Sequence, residues 1–335
     1  MKLETKIAYL ILCLALPLTT ACKKTPIPAE DPQPAEIGFT AASQAVEMKS
    51  GTKATTPLSQ FHQDFGVWGI ATNTLSPQYI LWDDNNLTKV ERQGDTDVYV
   101  PTSPAYWFNN YTYYFMALAP FNSGATNFDI HSANHTMSFN FNLGSKYSTA
   151  LEFDLMGAVA HKEVETTKPA NQNLVFWHLF AKINIAVSFV DGSGAAITTG
   201  SVSEMRLNNV DTEATYTLSF NNNNELAVAC VSNSAVTTPL TFSSATASFN
   251  ILPQNITDFQ LYLDFTLNGV EYKDFKVNLN AAGNPTTYNY NERYNWNITI
   301  GPKEDISFKV TVEPWVTSEV SDGDSSDDNN DIEII

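Results

Sequence analysis

The sequence predicts an all-β protein built of β-sandwich domains, and three observations lead to that prediction. Short runs rich in β-branched and aromatic residues recur along the chain, and several of them alternate between apolar and polar positions. Clusters of Asn, Asp, Gly, Ser and Pro separate these runs at the spacing of a sandwich. No long segment has the apolar period of an amphipathic helix.

The predicted strands are short. Alternation is clearest in residues 182–189, where Ile183, Ile185, Val187 and Phe189 fall on one face. The strand-like runs span residues 67–71, 111–119, 182–190, 259–267 and 307–312. The most pronounced turn clusters lie at residues 191–194 and 220–224.

The amino terminus has the features of an export signal. Lys2 and Lys6 precede an apolar run at residues 7–18, which is too short to remain as a membrane-spanning helix. Small residues then lead to Cys22, as in a lipobox, whose cysteine is acylated and becomes the first residue after cleavage. We therefore predict a signal peptide at residues 1–21 and lipidation of Cys22; an ordinary signal peptide with a chance cysteine is the alternative.

Composition divides the rest of the chain. Residues 22–36 are Pro-rich and polar, which predicts an extended tether. About 315 residues remain after processing, enough for two ordinary domains. A polar, Pro-containing stretch at residues 168–173 suggests the boundary, so we predict domains at 37–172 and 173–316. Residues 317–335 are rich in Asp and Ser and contain no Lys or Arg, which predicts a solvated acidic tail.

Charge and cysteine content restrict the partners and the source of stability. The formal net charge is −18, which argues against nucleic acid or an anionic membrane surface as a partner, since both require stripes of Lys and Arg. Cys13 leaves with the signal and Cys22 takes the lipid, so Cys230 has no intramolecular disulfide partner. An exported chain without a disulfide depends on its hydrophobic core.

Patterns that could carry catalysis or hold a metal are weak. His131 and His135 have the spacing of a helical metal pair, but their segment is strand-like and lacks the Glu of the zinc-protease motif. Residues 322–327 begin like a calcium loop, yet Asp327 stands where Gly is required. No phosphate-binding loop or nucleophile elbow is present. We therefore predict no enzyme activity, no cofactor and no metal.

Two aromatic-rich segments, residues 106–108 and 111–115, allow two interpretations. Their side chains could form a sugar-binding surface with Trp107 as a contact, or they could fill the core of a sandwich. Burial is the preferred interpretation, because aromatic side chains dominate core energetics.

Several short motifs follow one another along the mature chain. They lie at residues 51–55 (GTKAT), 65–69 (FGVWG), 113–120 (YYFMALAP), 154–158 (DLMGA), 178–183 (HLFAKI), 294–300 (YNWNITI) and 312–315 (VEPW). In this order, and downstream of a lipobox, they resemble the fimbrillin (Mfa-like) family, the subunits of type V pili of the Bacteroidales. The resemblance covers nearly the whole mature chain.

The resemblance implies two tandem transthyretin-like β-sandwich domains and maturation by proteolysis. In the family, the lipidated precursor reaches the outer membrane, and a trypsin-like protease cuts after a basic residue that follows the first strand. Here the first strand lies near residues 37–39, Lys53 matches the cleavage position, and Lys49 is a nearby alternative. Because the usual residue is Arg, a strictly Arg-specific protease should fail on this chain.

The resemblance also implies how subunits join. Loss of the first strand opens a groove that a neighbour's carboxy-terminal strand fills, with main-chain hydrogen bonds giving affinity and alternating side chains giving register. Ile332, Ile334 and Ile335 close the acidic tail with an apolar end and are the candidate donor-strand residues; a disordered terminus is the alternative.

The implied function is that of a structural fimbrial subunit at the cell surface, a stalk rather than a tip or an anchor. Its partners would be other pilus subunits, a processing protease and, for the precursor, the outer membrane. A surface lipoprotein that binds glycans or host molecules is the alternative.

Overall fold

The structure, a computed structural model, describes residues 35–43, 63–74, 78–83, 85–147, 151–235, 239–301 and 306–315. In residues 35–119 the strands are β1 (Ala35–Glu36), β2 (Gly38–Ser43), β3 (Phe65–Thr72), β4 (Tyr79–Ile80), β5 (Thr88–Arg92), β6 (Val98–Pro101), β7 (Tyr106–Trp107) and β8 (Tyr111–Ala119). The next elements are β9 (Thr126–His131), β10 (Thr136–Asn142), the short helix α1 (Gly144–Tyr147), β11 (Met156–Val164) and β12 (Asn171–His178).

The remaining strands follow β12 closely. They are β13 (Ala181–Phe189), β14 (Gly200–Asn208), β15 (Asp211–Phe220), β16 (Leu226–Ala235), β17 (Leu240–Phe242), β18 (Thr246–Ile251), β19 (Gln254–Asn255), β20 (Gln260–Leu267), β21 (Val270–Val277), β22 (Thr287–Tyr288), β23 (Glu292–Ile300) and β24 (Ile306–Pro314). The predicted all-β class is confirmed. The alternation in β13 is confirmed as well, because Ile183, Ile185, Val187 and Phe189 are all buried.

The largest sheet has eight strands in the order β4-β3-β5-β6-β2-β12-β11-β8, and an additional pairing of β3 with β8 closes it on itself. The closure is uneven. β8 pairs with β11 along nine residue pairs, whereas β12 meets β11 only where Met156 faces His178 and Gly157 faces Trp177. One hydrophobic cluster fills the inside, and its largest members include Phe39, Phe65 and Trp107.

Two four-stranded sheets form a sandwich in the carboxy-terminal half. Their orders are β18-β13-β23-β24 and β17-β14-β20-β21. Ile185 and Trp296 from the first sheet and Leu207 and Leu263 from the second belong to one buried cluster. Since the inner faces of both sheets supply one core, this half is a β-sandwich.

A further four-stranded sheet has the order β16-β15-β10-β9. It covers the face of β3 and β8 that points away from the cluster around Phe39. Trp68 of β3 and Met116 of β8 share a buried cluster there with Phe139 of β10 and Tyr216 of β15. The predicted domain boundary at residues 172 and 173 lies within β12, and the pairing of β10 with β15 crosses it. The two-domain division remains a prediction.

Candidate functional site

The site that the resemblance points to is β2 together with the groove that holds it. β2 pairs parallel with β12 along six residue pairs, from Gly38 opposite Asn171 to Ser43 opposite Phe176. On its other edge, β2 pairs antiparallel with β6 only at Phe39 and Thr40. β2 is therefore paired along its whole length with β12 and over only two residues with β6.

Phe39 is the main apolar anchor of β2. Its side chain is fully buried, and its ring lies 5.3 Å from the Phe115 ring and 6.1 Å from the Phe65 ring, both edge to face. The ring of Trp82 lies 6.4 Å away. These rings form an aromatic pocket beneath β2. Edge-to-face contacts of this kind stabilise the buried Phe39 beyond the burial of its apolar area.

The cross-strand partner of Phe39 on β6 is Tyr99, which is itself fully buried. Burial raises the pKa of the Tyr99 phenol above its ordinary value, so the ring remains neutral at physiological pH. The ring of Tyr99 also packs on Phe65 at a centroid distance of 5.2 Å. The wall of the groove is thus uncharged and aromatic, which suits an apolar strand residue.

β2 lies close to the start of the described chain, before residues 44–62. Of the described strands, only β1 and β2 precede residues 44–62, and every other strand follows them. β1 adds little attachment, because it pairs with β7 at Ala35 and Glu36 alone. One cut within residues 44–62 would leave β2 held by non-covalent contacts only.

A second cluster joins three of the sequence motifs. A carboxylate oxygen of Asp154 lies 2.7 Å from Nδ1 of His178, and the imidazole stacks on the Trp315 indole at 3.9 Å with a 4° interplanar angle. Lys182 approaches the same indole at 5.7 Å and pairs with Glu152 at 2.9 Å. The DLM, HLFAKI and EPW motifs therefore meet in space, beside Trp315, the last described residue.

The residues with predicted roles in lipidation, cleavage and strand donation lie outside the described residues. They are Cys22, Lys49, Lys53, Ile332, Ile334 and Ile335. Their roles remain predictions.

His131 ends β9 and His135 lies in the turn between β9 and β10, so neither is on a helix. His135 has a φ of 50° and its ring stacks on Tyr114 at 3.7 Å. The described part of the chain contains no group of three or more side chains placed to hold a metal ion. Nor does any helix within it have the length and apolar character needed to cross a membrane.

The interpretation of Trp107 as a surface sugar contact is wrong. Its side chain is fully buried and packs against Tyr113 at 4.6 Å and Phe115 at 5.9 Å. Strand patterns alone could not decide this, because β7 has only two residues and is too short to show alternation. The preferred interpretation, a core residue, is confirmed.

The fold and the site define a β-sandwich protein whose first two strands are joined to all later described strands through residues 44–62. Comparison with protein families gives the particular family: a model of fimbrillin-like proteins matches residues 52–315. The chain belongs to the fimbrillin-like family, and the resemblance drawn from the motifs is confirmed.

Solved structures show the same fold at low sequence identity. A putative cell adhesion protein from Bacteroides uniformis is 17% identical with a TM-score of 0.54, and the match covers 84% of this chain and 98% of that one. A fimbrial protein from Bacteroides vulgatus is 14% identical with a TM-score of 0.56, covering 84% and 99%. Among curated proteins, none matches the chain.

Proposed function

We propose that the chain is a structural subunit of a type V-like fimbria that polymerises by exchanging β2 for a strand of a neighbouring subunit. The observation that carries the proposal is the combination found at β2: a buried strand, bonded mainly along one edge, that a single cut separates from every strand that follows. Family membership supports it, as does the fimbrial protein with the same fold. The function is structural and not catalytic.

Before cleavage, the covalent connection keeps β2 in its groove. A tethered strand rebinds as an intramolecular event at high effective concentration, so it remains bound even if its contacts are modest. Cleavage after Lys53, or after Lys49, removes that advantage. β2 can then dissociate and leave the aromatic pocket of Phe39 open.

An open groove is a template for another strand. β12 would present an unpaired backbone edge six residues long where β2 now lies, and unpaired strand edges recruit extended peptides. Ile332 and Ile334 are two residues apart, the spacing of Phe39 and Ala41, which are both buried in β2. The tail can therefore place an apolar side chain at each of these positions.

The remaining parts of the proposal concern export. Lipidation at Cys22 would hold the precursor at the outer membrane, and a protease able to cut after Lys would release the mature subunit at the cell surface. A stalk subunit must both accept and donate a strand, and this chain has a groove and a tail with an apolar end. We therefore favour a stalk over a tip or an anchor.

Limited trypsin digestion of the mature chain with Cys22→Ser, followed by mass spectrometry and electron microscopy, tests the proposal. We expect a cut after Lys53 or Lys49, loss of the peptide that contains β2, and fibres from the resistant core. The matched control is the double variant Lys49→Gln, Lys53→Gln, which should resist the cut and remain monomeric. Fibres from this control, or from a chain lacking residues 318–335, would contradict strand exchange.

A further inference from the structure

A groove of about 530 Å³ lies at the end of β24, apart from the groove of β2. Its walls come from three places: Trp177 at the end of β12, the turn at residues 289–292, and Val312 to Pro314 of β24. Its volume is within the range of about 300–1,000 Å³ that small-ligand sites have.

Two aromatic side chains distinguish this groove. Trp177 and Tyr290 are both partly exposed, and neither pairs with another aromatic ring in the part of the chain that the structure describes. Two other surface grooves also have an aromatic lining residue, but there the residue, Phe259 or Phe141, is buried. Only the groove at β24, among these three, offers aromatic surface to a ligand.

The turn that carries Tyr290 is held in place before any ligand arrives. The Tyr294 hydroxyl accepts a hydrogen bond from the backbone N–H of Asn289 at 2.8 Å and donates one to Glu292. The backbone N–H of Asn291 donates to the carbonyl of Phe180, and its carbonyl accepts from the N–H of Trp315, both at 2.9 Å. A preformed turn lowers the entropy lost on binding.

The polar groups that line the groove determine which class of ligand it could bind. Asn289, Asn291, Glu292 and Glu313 contribute amides and carboxylates, and no described lining residue is Lys or Arg. Burial raises the pKa of Tyr290, so its hydroxyl remains a neutral donor. The groove therefore matches a ligand that has many hydroxyls and no negative charge.

We propose that this groove binds a neutral saccharide. One face of a pyranose ring presents only C–H bonds and can stack on Trp177 or Tyr290, while its hydroxyls hydrogen-bond to the amides and carboxylates. Sialylated or sulfated sugars meet the carboxylates of Glu292 and Glu313 in a groove whose described lining contains no Lys or Arg, and they bind less well. The proposal goes beyond fibre formation and does not depend on it, because an uncut monomer already has the groove.

The test is binding of the mature chain with Cys22→Ser to an array of neutral oligosaccharides ending in galactose, mannose or N-acetylglucosamine, beside sialylated and sulfated counterparts. We expect binding to at least one neutral class, and weakening by about tenfold or more in Tyr290→Ala. Trp177→Ala should weaken sugar binding similarly. Trp177→Phe, which keeps an aromatic ring at this position, controls for loss of packing in the fold. The control, Tyr262→Ala, removes a partly exposed tyrosine of β20 outside the groove and should bind as the parent does.

Three results would overturn the proposal. They are no binding to any neutral sugar at about millimolar concentration, binding that both groove variants leave unchanged, and preference for the charged sugars. If Tyr290→Ala instead stops fibre formation in a chain that binds no sugar, the groove is a contact between subunits, and strand exchange still stands.

Discussion

β2 and β13 have similar places in the two halves of the chain, yet they are held very differently. Each is the first long strand of its half, and each pairs parallel with a strand that comes late in that half, β2 with β12 and β13 with β23. β13 has nine residues, eight pairs with β23 and six with β18. β2 has six residues and only two pairs on its second edge.

The connections of the two strands differ as well. β13 follows β12 after Leu179 and Phe180, which are both fully buried. β2 is joined to β3 through residues 44–62. The same parallel arrangement thus gives a permanent core strand in one half and, under the proposed function, an exchangeable strand in the other.

The two halves also share a turn before a long strand. The Tyr113 hydroxyl accepts a hydrogen bond from the backbone N–H of Phe108, and the Tyr294 hydroxyl accepts one from Asn289, in both cases from five residues earlier. Each turn has an Asn at positive φ, Asn110 and Asn291, which Asn tolerates better than most residues. The two halves are therefore alike in this local detail as well as in their parallel first strands.

The largest expected effect is a charge in β13. Ile185 is 2% exposed and lies in the sandwich core, so Ile185→Asp buries an unpaired carboxylate and should lower the free energy of unfolding by more than about 4 kcal/mol. Urea unfolding should show no cooperative transition, whether or not residues 44–62 are cut. A variant that unfolds like the parent would contradict the description of β13 as a permanent core strand.

Phe39→Ala in β2 should act only before cleavage. In the uncut chain, it empties an aromatic pocket and should lower the free energy of unfolding by about 3–5 kcal/mol. After cleavage and loss of the β2 peptide, the variant and the parent are the same molecule, so their thermal melts and fibre formation should coincide. A difference that persists after cleavage would mean that the peptide stays bound.

Asp154→Ala should have an intermediate effect that cleavage leaves unchanged, because its cluster contains no residue of β2. It leaves the buried Nδ1 of His178 without its carboxylate partner and should cost about 1–3 kcal/mol in urea unfolding. The matched control is Asp129→Ala, which breaks the exposed pair with His131 at 3.2 Å and should cost less than about 1 kcal/mol. Equal losses in the two variants would contradict a structural role for the motif cluster.

The smallest effect should come from substituting Glu152, a half-exposed residue that pairs with Lys182 of β13. Its pKa lies below the ordinary 4.5, because the Ser248 hydroxyl and then Lys182 hydrogen-bond to the carboxylate. The stabilisation is therefore present above pH 4.5 and is lost as the pH falls through the lowered pKa of the folded state. Glu152→Gln should lose less than about 1 kcal/mol near neutral pH and nothing in strong acid; an equal loss in acid would contradict this account.

The strands of this protein are more predictable from its sequence than their arrangement is. β8 begins and ends at the predicted residues, and β13 is displaced by one, because alternation and turn residues are local signals. The parallel pairing of β2 with β12 has no local signal, since the two strands are more than a hundred residues apart. For that reason, the polar composition of residues 168–173 suggests a domain boundary, although residues 171–173 begin the strand that pairs with β2.

The site was only partly predictable. The motif order predicted the family, and the structure shows that three motifs meet at Asp154, His178 and Trp315. The groove at β24 is not predictable from the sequence, because Trp177 and Tyr290 are far apart in it and each lies in an otherwise ordinary segment. Only the packing of β12 against the end of β24 brings them together.

Hydrogen exchange of β12 and β23, measured by mass spectrometry in the uncut chain, the cut monomer and the fibre, tests strand exchange most directly. We expect the β12 amides to be protected in the uncut chain, to lose protection when the β2 peptide leaves, and to regain it in the fibre. The β23 amides, covered by β13 throughout, should stay protected in all three states. Protection of β12 in the cut monomer, or exposure of β12 in the fibre, would contradict exchange of β2 between subunits.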